Sequence, residues 1–377
     1  MDNPFYISSY FTPEYFCDRE KETAKLKGAM ENGRNVVLLS LRRMGKTGLI
    51  KHLFYKLKKE NSVHVIYMDI VNARSTHEFS NILANAVFDA FSTKSKRIYD
   101  NVLKFFTRFS PVLSYDSVTG VPSISLTFTD EHKTETSVAG ILDYLEKQNK
   151  PVVVAIDEFQ QIVNFENKGF EAFLRSHIQH LNNVRFIFSG SQQHILTDMF
   201  SSYSRPFYQS GDYLKLERIP KDVYAEFIVR KFSETKKTIN VDDVLQVLEW
   251  LDVYTFYVQN FFNKLWFISG RTVTGNDIDK TKRYVLDEHD FIYSNMSNIL
   301  SGVQYKILIA IALNGGVEKP TSKDFIKKYD LGTTSTVSSA MKILEEKELI
   351  YKENGKFEIY DVFFAKWLEE KHKHQIF

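Results

Sequence analysis

Residues 36–50 read VVLLSLRRMGKTGLI. The apolar, β-rich run 36–39 predicts a strand, Gly45 centres the turn after it, and an amphipathic stretch with helical spacing starts at Lys46. At such a junction the free backbone N–H groups of the helix start and the positive end of its dipole meet an anion. Lys46 is long enough to reach the β- and γ-phosphates of a nucleotide, and Thr47 has the hydroxyl that a phosphate-bound Mg²⁺ needs. Ser40 stands where the P-loop pattern has its first glycine. It is small, and Gly45, Lys46 and Thr47 are all present, so the stretch reads as a variant loop. A bare Gly-Lys-Thr tripeptide is also a common surface helix start, and a second motif has to decide.

That motif is residues 152–158, VVVAIDE. Five consecutive apolar residues read as a strand buried on both faces, the habit of a parallel sheet under helices. Two carboxylates close it at its C-terminal tip, where ligands of open α/β sheets bind. Asp157 would hold Mg²⁺ directly or through water, and Glu158 would polarise the water that attacks the γ-phosphate. A strand followed by an acidic helix cap is the plainer alternative. Both motifs in this order favour the nucleotide site.

The 377 residues exceed one ordinary core, so two or three domains are expected. Hydrophobic residues make up 43% and charged residues 25%, which fits a folded chain and excludes dominant disorder. Lys plus Arg number 49 against 47 acidic residues, so a balance of +2 draws the chain to neither nucleic acid nor anionic membrane as a whole. Cys17 is the only cysteine, which suits a reducing compartment. The start MDNPFYISSYF lacks the pattern of a secretion signal, and the longest apolar candidate, 307–313, is far too short for a membrane span. A cytoplasmic protein is the expectation.

Along the chain, a charged helical stretch follows Phe16, Asp18, Arg19 and Glu20, and Arg19 is a candidate for the base end of a nucleotide cleft or a solvated helix start. The spacing predicts a helix over 46–59 with Leu49, Ile50, Leu53 and Leu57 on one stripe, then a strand over 63–70. Asp69, at that strand's tip, would cap the next helix or touch magnesium. The helix 76–91 buries Phe79, Ile82, Leu83, Ala86, Val87 and Ala90. Residues 112–129 change period and read as an inserted hairpin turning near Gly120, and a helix over 135–147 leads back to the acidic strand. Phe170, Phe173, Leu174, His177, Ile178 and Leu181 form another apolar helix face, with His177 packed or surface-facing. A strand over 184–188 ends in Ser189, Gly190, Ser191 and Gln192, where a polar side chain would sense the γ-phosphate or simply cap the next helix. After a helix over 192–200, Arg205, in the turn that Pro206 enforces, is a candidate arginine finger in its own or a neighbouring subunit, or a surface arginine. A fifth strand, 213–217, closes the core.

From Pro220 the pattern is helical to about 297, which suggests a small lid able to couple nucleotide state to shape. A third unit follows: helices over 303–313, 322–329 and 334–347, and a hairpin around Asn354-Gly355. That order makes a winged helix-turn-helix. A DNA reader would place the start of helix 334–347 in the major groove. Thr334, Ser335, Thr336, Ser338 and Ser339 stand there with no arginine to read guanine, and Lys342 and Lys347 are offset by Glu345, Glu346 and Glu348. DNA or a protein partner through the winged helix both stay open.

Taken together the FCDRE start, the LRRMGKTGL loop with Arg42 and Arg43, the VVVAIDEFQ strand, the FSGSQ strand end and the closing YDVFFAKWL resemble the archaeal-type ATPases. That branch of the AAA+ and STAND P-loop NTPases also occurs in some anaerobic bacteria, and the chain resembles a bacterial member. The resemblance implies an α/β parallel-sheet core of the additional-strand type with Glu158 on the strand beside the loop strand, a helical lid, a winged helix, and use of ATP and Mg²⁺. It implies a P-loop core over 1–218, a lid over 219–295 and a winged helix domain over 296–377. Nucleotide would be held by Ser40, Arg42, Arg43, Met44, Gly45, Lys46, Thr47, Gly48 and Ser189. Thr47 and Asp157 would hold the metal, and Glu158, Lys46 and Arg205 would serve catalysis. Relatives carry a Gly-His-Pro-Tyr-like turn in the lid where this chain has DVYTFY at 252–257, so no lid residue is placed on a phosphate.

The expected activity is Mg²⁺-dependent ATP hydrolysis working as a switch for the winged helix, with oligomers compatible. The alternatives are a DNA-binding regulator or mobile-element protein in which nucleotide is structural, and a scaffold that binds nucleotide without turnover.

Overall fold

Helix α1 (Glu20–Glu31) precedes strand β1 (Val36–Leu39), helix α2 (Lys46–Glu60), β2 (His64–Asp69), α3 (Thr76–Ser92) and α4 (Lys96–Phe106). A hairpin of β3 (Pro111–Tyr115) and β4 (Pro122–Leu126) leads into α5 (Glu131–Glu146), β5 (Val152–Asp157) and a 3-10 stretch Phe159–Asn164. Then come α6 (Phe170–Ile178), β6 (Val184–Gly190), α7 (Gln193–Ser201) and β7 (Asp212–Lys215). The computed structural model describes residues 2–7, 10–92, 96–109, 111–115, 122–126 and 131–374. Contacts divide the chain into two units, residues 9–217 and residues 218–377 with 1–8.

In the first unit five strands form one parallel sheet in the order β2-β5-β6-β1-β7. Every residue of β5 is buried, whereas β7, at the edge, buries one of its four. That difference explains why VVVAI is uninterrupted and DYLK is not. Val37, Ile66, Val154 and Phe186 share one core with Phe79, Leu83 and Val87 of α3. The hairpin is antiparallel, and Asn85 of α3 holds it by donating to the Ile124 carbonyl (2.6 Å) and accepting from the Ile124 N–H (2.9 Å). The turn read near Gly120 lies outside the described residues. Helix α4 was not foreseen, although its buried Val102 and Phe106 belong to an apolar stripe at helical spacing.

Registry fixes the functional edge. Asp69 pairs with Asp157, Ile156 with Phe188, and Leu39 with Gly190, so these strand ends finish level with one another. The loop after β1 leaves from the same edge.

The second unit holds α8 (Lys221–Glu234), α9 (Val241–Trp250), α10 (Thr255–Ile268), α11 (Gly275–Asp287) and α12 (Asp290–Ile299). It continues with α13 (Gly302–Leu313), α14 (Lys323–Lys328), α15 (Thr334–Glu346), β8 (Ile350–Glu353), β9 (Lys356–Ile359) and α16 (Val362–His372). Residues 1–8, assigned with the core from sequence, belong here by contact. Phe5 packs on Phe232 and Phe262, with ring centroids 5.5 and 5.8 Å apart, and Asn263 donates to the Phe5 carbonyl (2.6 Å). The winged helix is present as expected: Asn354 and Gly355 both take positive φ (50° and 86°), the geometry a two-residue hairpin turn needs. The Val317 to Phe357 bridge adds a third short strand beside β9, and α16 packs on α13. Among the described residues no helix is long and apolar enough to cross a membrane.

Candidate functional site

Strand β1 delivers the chain into the loop 40–45 at the level strand edge. Ser40 is fully buried and its hydroxyl donates to the Leu41 carbonyl (2.8 Å). Its φ is not left-handed, so this backbone position does not need glycine, which is why serine fits. The left-handed turns fall instead at Arg43 (φ 66°) and Gly45 (φ 90°), directly before α2. Met44 is buried under the loop, while Arg42 and Arg43 are exposed. The Arg42 Nε donates to the Ser191 hydroxyl (3.3 Å). A side chain at Gly48 would meet the Phe16 ring at 3.4 Å, an ordinary contact.

Lys46, first residue of α2, is 8% exposed and points into the acidic tip of β5. Its ammonium lies 3.0 Å from Asp157 Oδ1 and 2.9 Å from Glu158 Oε1. Thr47 donates to Asp157 Oδ2 (2.8 Å), and Ser189 donates to Oδ1 (2.6 Å). Tyr67 of β2 adds a third hydroxyl, donating to Oδ2 (2.9 Å). Burial works to raise the Asp157 carboxyl, but the Lys46 ammonium and the Ser189 and Thr47 hydroxyls outweigh it and hold the group below the usual range. Glu158 is likewise held low: burial opposes, and Lys46 and the Gln160 amide prevail. Burial and the neighbouring Asp157 push the Tyr67 phenol up, so it stays a neutral donor.

One expectation needs correction. The strand carrying Glu158 is not beside the loop strand, because β6 lies between β5 and β1. The contact survives since the tip of β6 offers only a small residue, Ser189, and Lys46 is long enough to cross it. Ser189 thereby touches the carboxylate from the intervening strand.

Glu158 has a left-handed backbone (φ 56°), an uncommon state for a non-glycine residue. It turns the carboxylate away from the strand direction toward Ser191 and Gln160. Ser191 of the FSGSQ segment therefore touches Glu158, whereas Gln192 is the residue before α7. Arg205 is not gathered here: its guanidinium pairs with Glu171 (2.9 Å) and Asp198 (3.7 Å). Asp69 accepts from the Val71 N–H (2.9 Å) and closes its own turn. His177 caps inside α6 on the Phe173 carbonyl (2.9 Å). Arg19 is buried in a left-handed turn and donates to Glu22 (2.8 Å). Tyr67 and Gln160 are the members of this cluster that sequence reading missed. Tyr67 shares a β2 face with Asp69 by its two-residue spacing, and Gln160 follows Glu158 by two, but neither spacing says what the side chain meets.

The oxygens at Thr47 and Asp157 are hard donors suited to a cation such as Mg²⁺. Among the described residues no group of three or more His, Cys, Asp or Glu forms a cage of its own. That donor set fits a cation that takes its other ligands from phosphate and water.

A parallel sheet in this order, with a Gly-Lys-Thr loop facing an acidic strand tip, defines a P-loop ATPase of the additional-strand type. A family profile described as "ATPase domain predominantly from Archaea" matches residues 16–261, and one described as "Probable winged helix domain" matches residues 291–370. The chain belongs to that ATPase family and is a nucleotide-binding ATP hydrolase of it. No curated protein matches the sequence. Among solved structures, the Walker-type ATPase PABY2304 of Pyrococcus abyssi is 20% identical with a TM-score of 0.67, covering 97% of this chain and 99% of that one. The ORC2 protein of Aeropyrum pernix, in ADPNP-ADP complexes, is 13% identical with a TM-score of 0.56 and 98% of both chains covered. The Aeropyrum pernix ORC1 protein in complex with DNA is 12% identical, TM-score 0.51, covering 95% and 94%. These likenesses are likenesses of fold.

Proposed function

We propose that the protein is a Mg²⁺-dependent ATPase that works as a molecular switch, with nucleotide state read out through a lid over 219–295 and a winged helix over 296–377. The observation that carries the reading is the ammonium of Lys46 within 3.0 Å of both carboxylates at a buried strand tip, beside the Thr47 hydroxyl. A cation so placed is paired with carboxylates in the absence of phosphate and is the group that phosphate would draw away.

In this reading the loop 40–48 wraps the triphosphate, with Ser40, Arg42, Arg43, Met44, Gly45 and Gly48 presenting backbone N–H groups and Lys46 its charge. Thr47 and Asp157 hold Mg²⁺, which neutralises phosphate charge when bound. Ser189 and Tyr67 fix the Asp157 carboxylate. Glu158 orients and polarises the attacking water. Arg205 would need to leave Glu171 to reach a phosphate, so its service is confined to a rearranged or neighbouring subunit.

Phosphate release by the full chain tests this. Glu158→Gln keeps ATP affinity and loses turnover by about 100-fold or more. Retained turnover in that variant sinks the reading.

A second reading, a DNA-binding regulator, draws on the winged helix and on the ORC1 neighbour that was solved with DNA. Glu345 and Glu346 on α15 weigh against it by opposing phosphate. A salt-dependent shift of duplex DNA by the full chain, with no effect of nucleotide, would favour it over the switch.

A further inference from the structure

Both oxygens of Glu158 are engaged. Oε1 faces the Lys46 ammonium at 2.9 Å. Oε2 accepts three bonds, from Gln160 Nε2 (2.6 Å), the Ser191 hydroxyl (2.9 Å) and the Ser191 backbone N–H (3.1 Å). The two halves of this clamp differ in what nucleotide does to them. Lys46 is wanted by the phosphates and would let Oε1 go. Gln160 and Ser191 have no such competitor, so Oε2 stays held.

Gln160 sits in the 3-10 stretch just after β5 and is 1% exposed. Its own oxygen is buried and lacks a hydrogen-bond partner. Turning the amide over would give that oxygen the Glu158 carboxylate as neighbour, acceptor against acceptor, so the orphaned oxygen is the consequence of aiming Nε2 at Oε2. Space for the arrangement is made by Gly190 at the end of β6, where an added Cβ would lie 2.0 Å from the Gln160 oxygen and 3.0 Å from its Cδ. A left-handed glutamate, an orphaned buried oxygen and an obligatory small residue thus converge on one contact. Each is unfavourable alone, and together they serve the hold on Oε2.

The geometry points to Gln160 as a positioning residue for hydrolysis: with Ser191 it locks Oε2, so that departure of Lys46 presents Oε1 alone to the attacking water. The inference rests on the ATPase reading above. In the step it serves, the water oxygen bonds to the terminal phosphorus, and the bond from that phosphorus to the bridging oxygen breaks with its electron pair left on ADP. The water proton passes to Oε1 and on to the departing phosphate. Gln160 exchanges no proton and touches no substrate; it sets which oxygen of Glu158 is available.

Gln160→Met is the decisive variant, since methionine matches the shape, removes the orphaned oxygen and removes the donor. In the full chain it should lower kcat about 10-fold or more, with the Kd for a fluorescent ATP analogue within about twofold of wild type and Tm unchanged or raised. A group acting through Glu158 should have no further effect once Glu158 is gone, so Gln160→Met should leave the residual rate of Glu158→Gln as it is. A structural role would instead lower Tm and reduce both rates alike, and that result overturns the proposal. Gln160→Ala is the second variant should methionine fail to fold, with the same expectation for kcat against Kd. Wild-type kcat in the folded variant, alongside lost turnover in Glu158→Gln, removes this inference and leaves the ATPase reading standing. A wild-type chain that releases no phosphate removes both.

Discussion

Both units of this chain bury polar side chains, and they do so in different ways. In residues 9–217 the buried Lys46, Asp157, Gln160, Ser189 and Ser191 come from three separate segments and gather around the Asp157 and Glu158 carboxylates. In the second unit several buried polar groups are satisfied close by in sequence. Lys231 pairs with Glu234 three residues on (2.6 Å), Thr281 donates to the carbonyl one turn earlier (2.7 Å), and Gln304 accepts from the Ser301 N–H in its own capping box (3.0 Å). Burying a polar group is unfavourable without a partner wherever it happens. Local partners make helix punctuation, whereas partners from separate segments mean that the fold has gathered a cluster.

The second unit also has a long-range polar cluster around Arg218 and Tyr351, and it sharpens the contrast. Arg218 donates to Glu353 (2.8 Å), Tyr254 to Tyr351 (2.5 Å), and Tyr351 to Glu358 (2.5 Å). Each donor there finds an acceptor among the others, and the cluster ties the α9–α10 turn to the β8–β9 hairpin. It is closed where the first unit's cluster has a charge that phosphate can extract.

The comparison breaks most decisively at Lys46. Lys46→Ala should weaken binding of a fluorescent ATP analogue about 100-fold or more, because the charge-assisted contacts to phosphate go with it. Equal affinity in the two chains would mean the convergent cluster is structural like the other. Next in size, Tyr351→Phe should cost about 1–3 kcal/mol in urea unfolding by stranding the buried Tyr254 hydroxyl, with ATP affinity untouched. A loss of nucleotide binding in that variant would erase the division between closed and open clusters.

The smallest effect is expected from His52, a buried polar group of the first unit outside the site. It stacks on Phe16 (4.3 Å between centroids) and meets the Tyr10 hydroxyl at 3.1 Å. Burial, then the Lys56 charge, holds its imidazole down to about 4 from an ordinary 6.5. A depressed folded value means that the unfolded chain binds the proton first, so this contribution is complete above pH 6.5 and is lost as pH falls toward 4. Wild type should therefore lose about 1–2 kcal/mol more than His52→Phe over that window, allowing for solvent that still reaches the ring. Parallel stability curves would show that the ring is as accessible folded as unfolded.

Much of this was legible in the residues. The VVLL and VVVAI runs had to be buried strands, Gly45-Lys46-Thr47 had to open a helix, and Asn354-Gly355 had to turn a hairpin, since each signal is carried by neighbours in the chain. The strand order was not legible, because nothing in VRFIFSG says that β6 lies between β5 and β1. Helix α4 went unread although Val102 and Phe106 stand one turn apart on its apolar stripe. Arg205 on its turn reads as a finger or a surface arginine, and only the folded chain showed Glu171 and Asp198 beside it.

Sequence alone determined which residues bring charge and oxygen to one edge of the sheet, since Lys46, Thr47, Asp157 and Glu158 sit at positions fixed by short-range backbone preference. The tertiary structure alone decided who holds them in place. Ser189 and Tyr67 hold Asp157, and Gly190 makes room for Gln160, across strands whose registry is set by packing of the whole sheet, and a partner chosen by registry leaves no trace in the spacing of either residue.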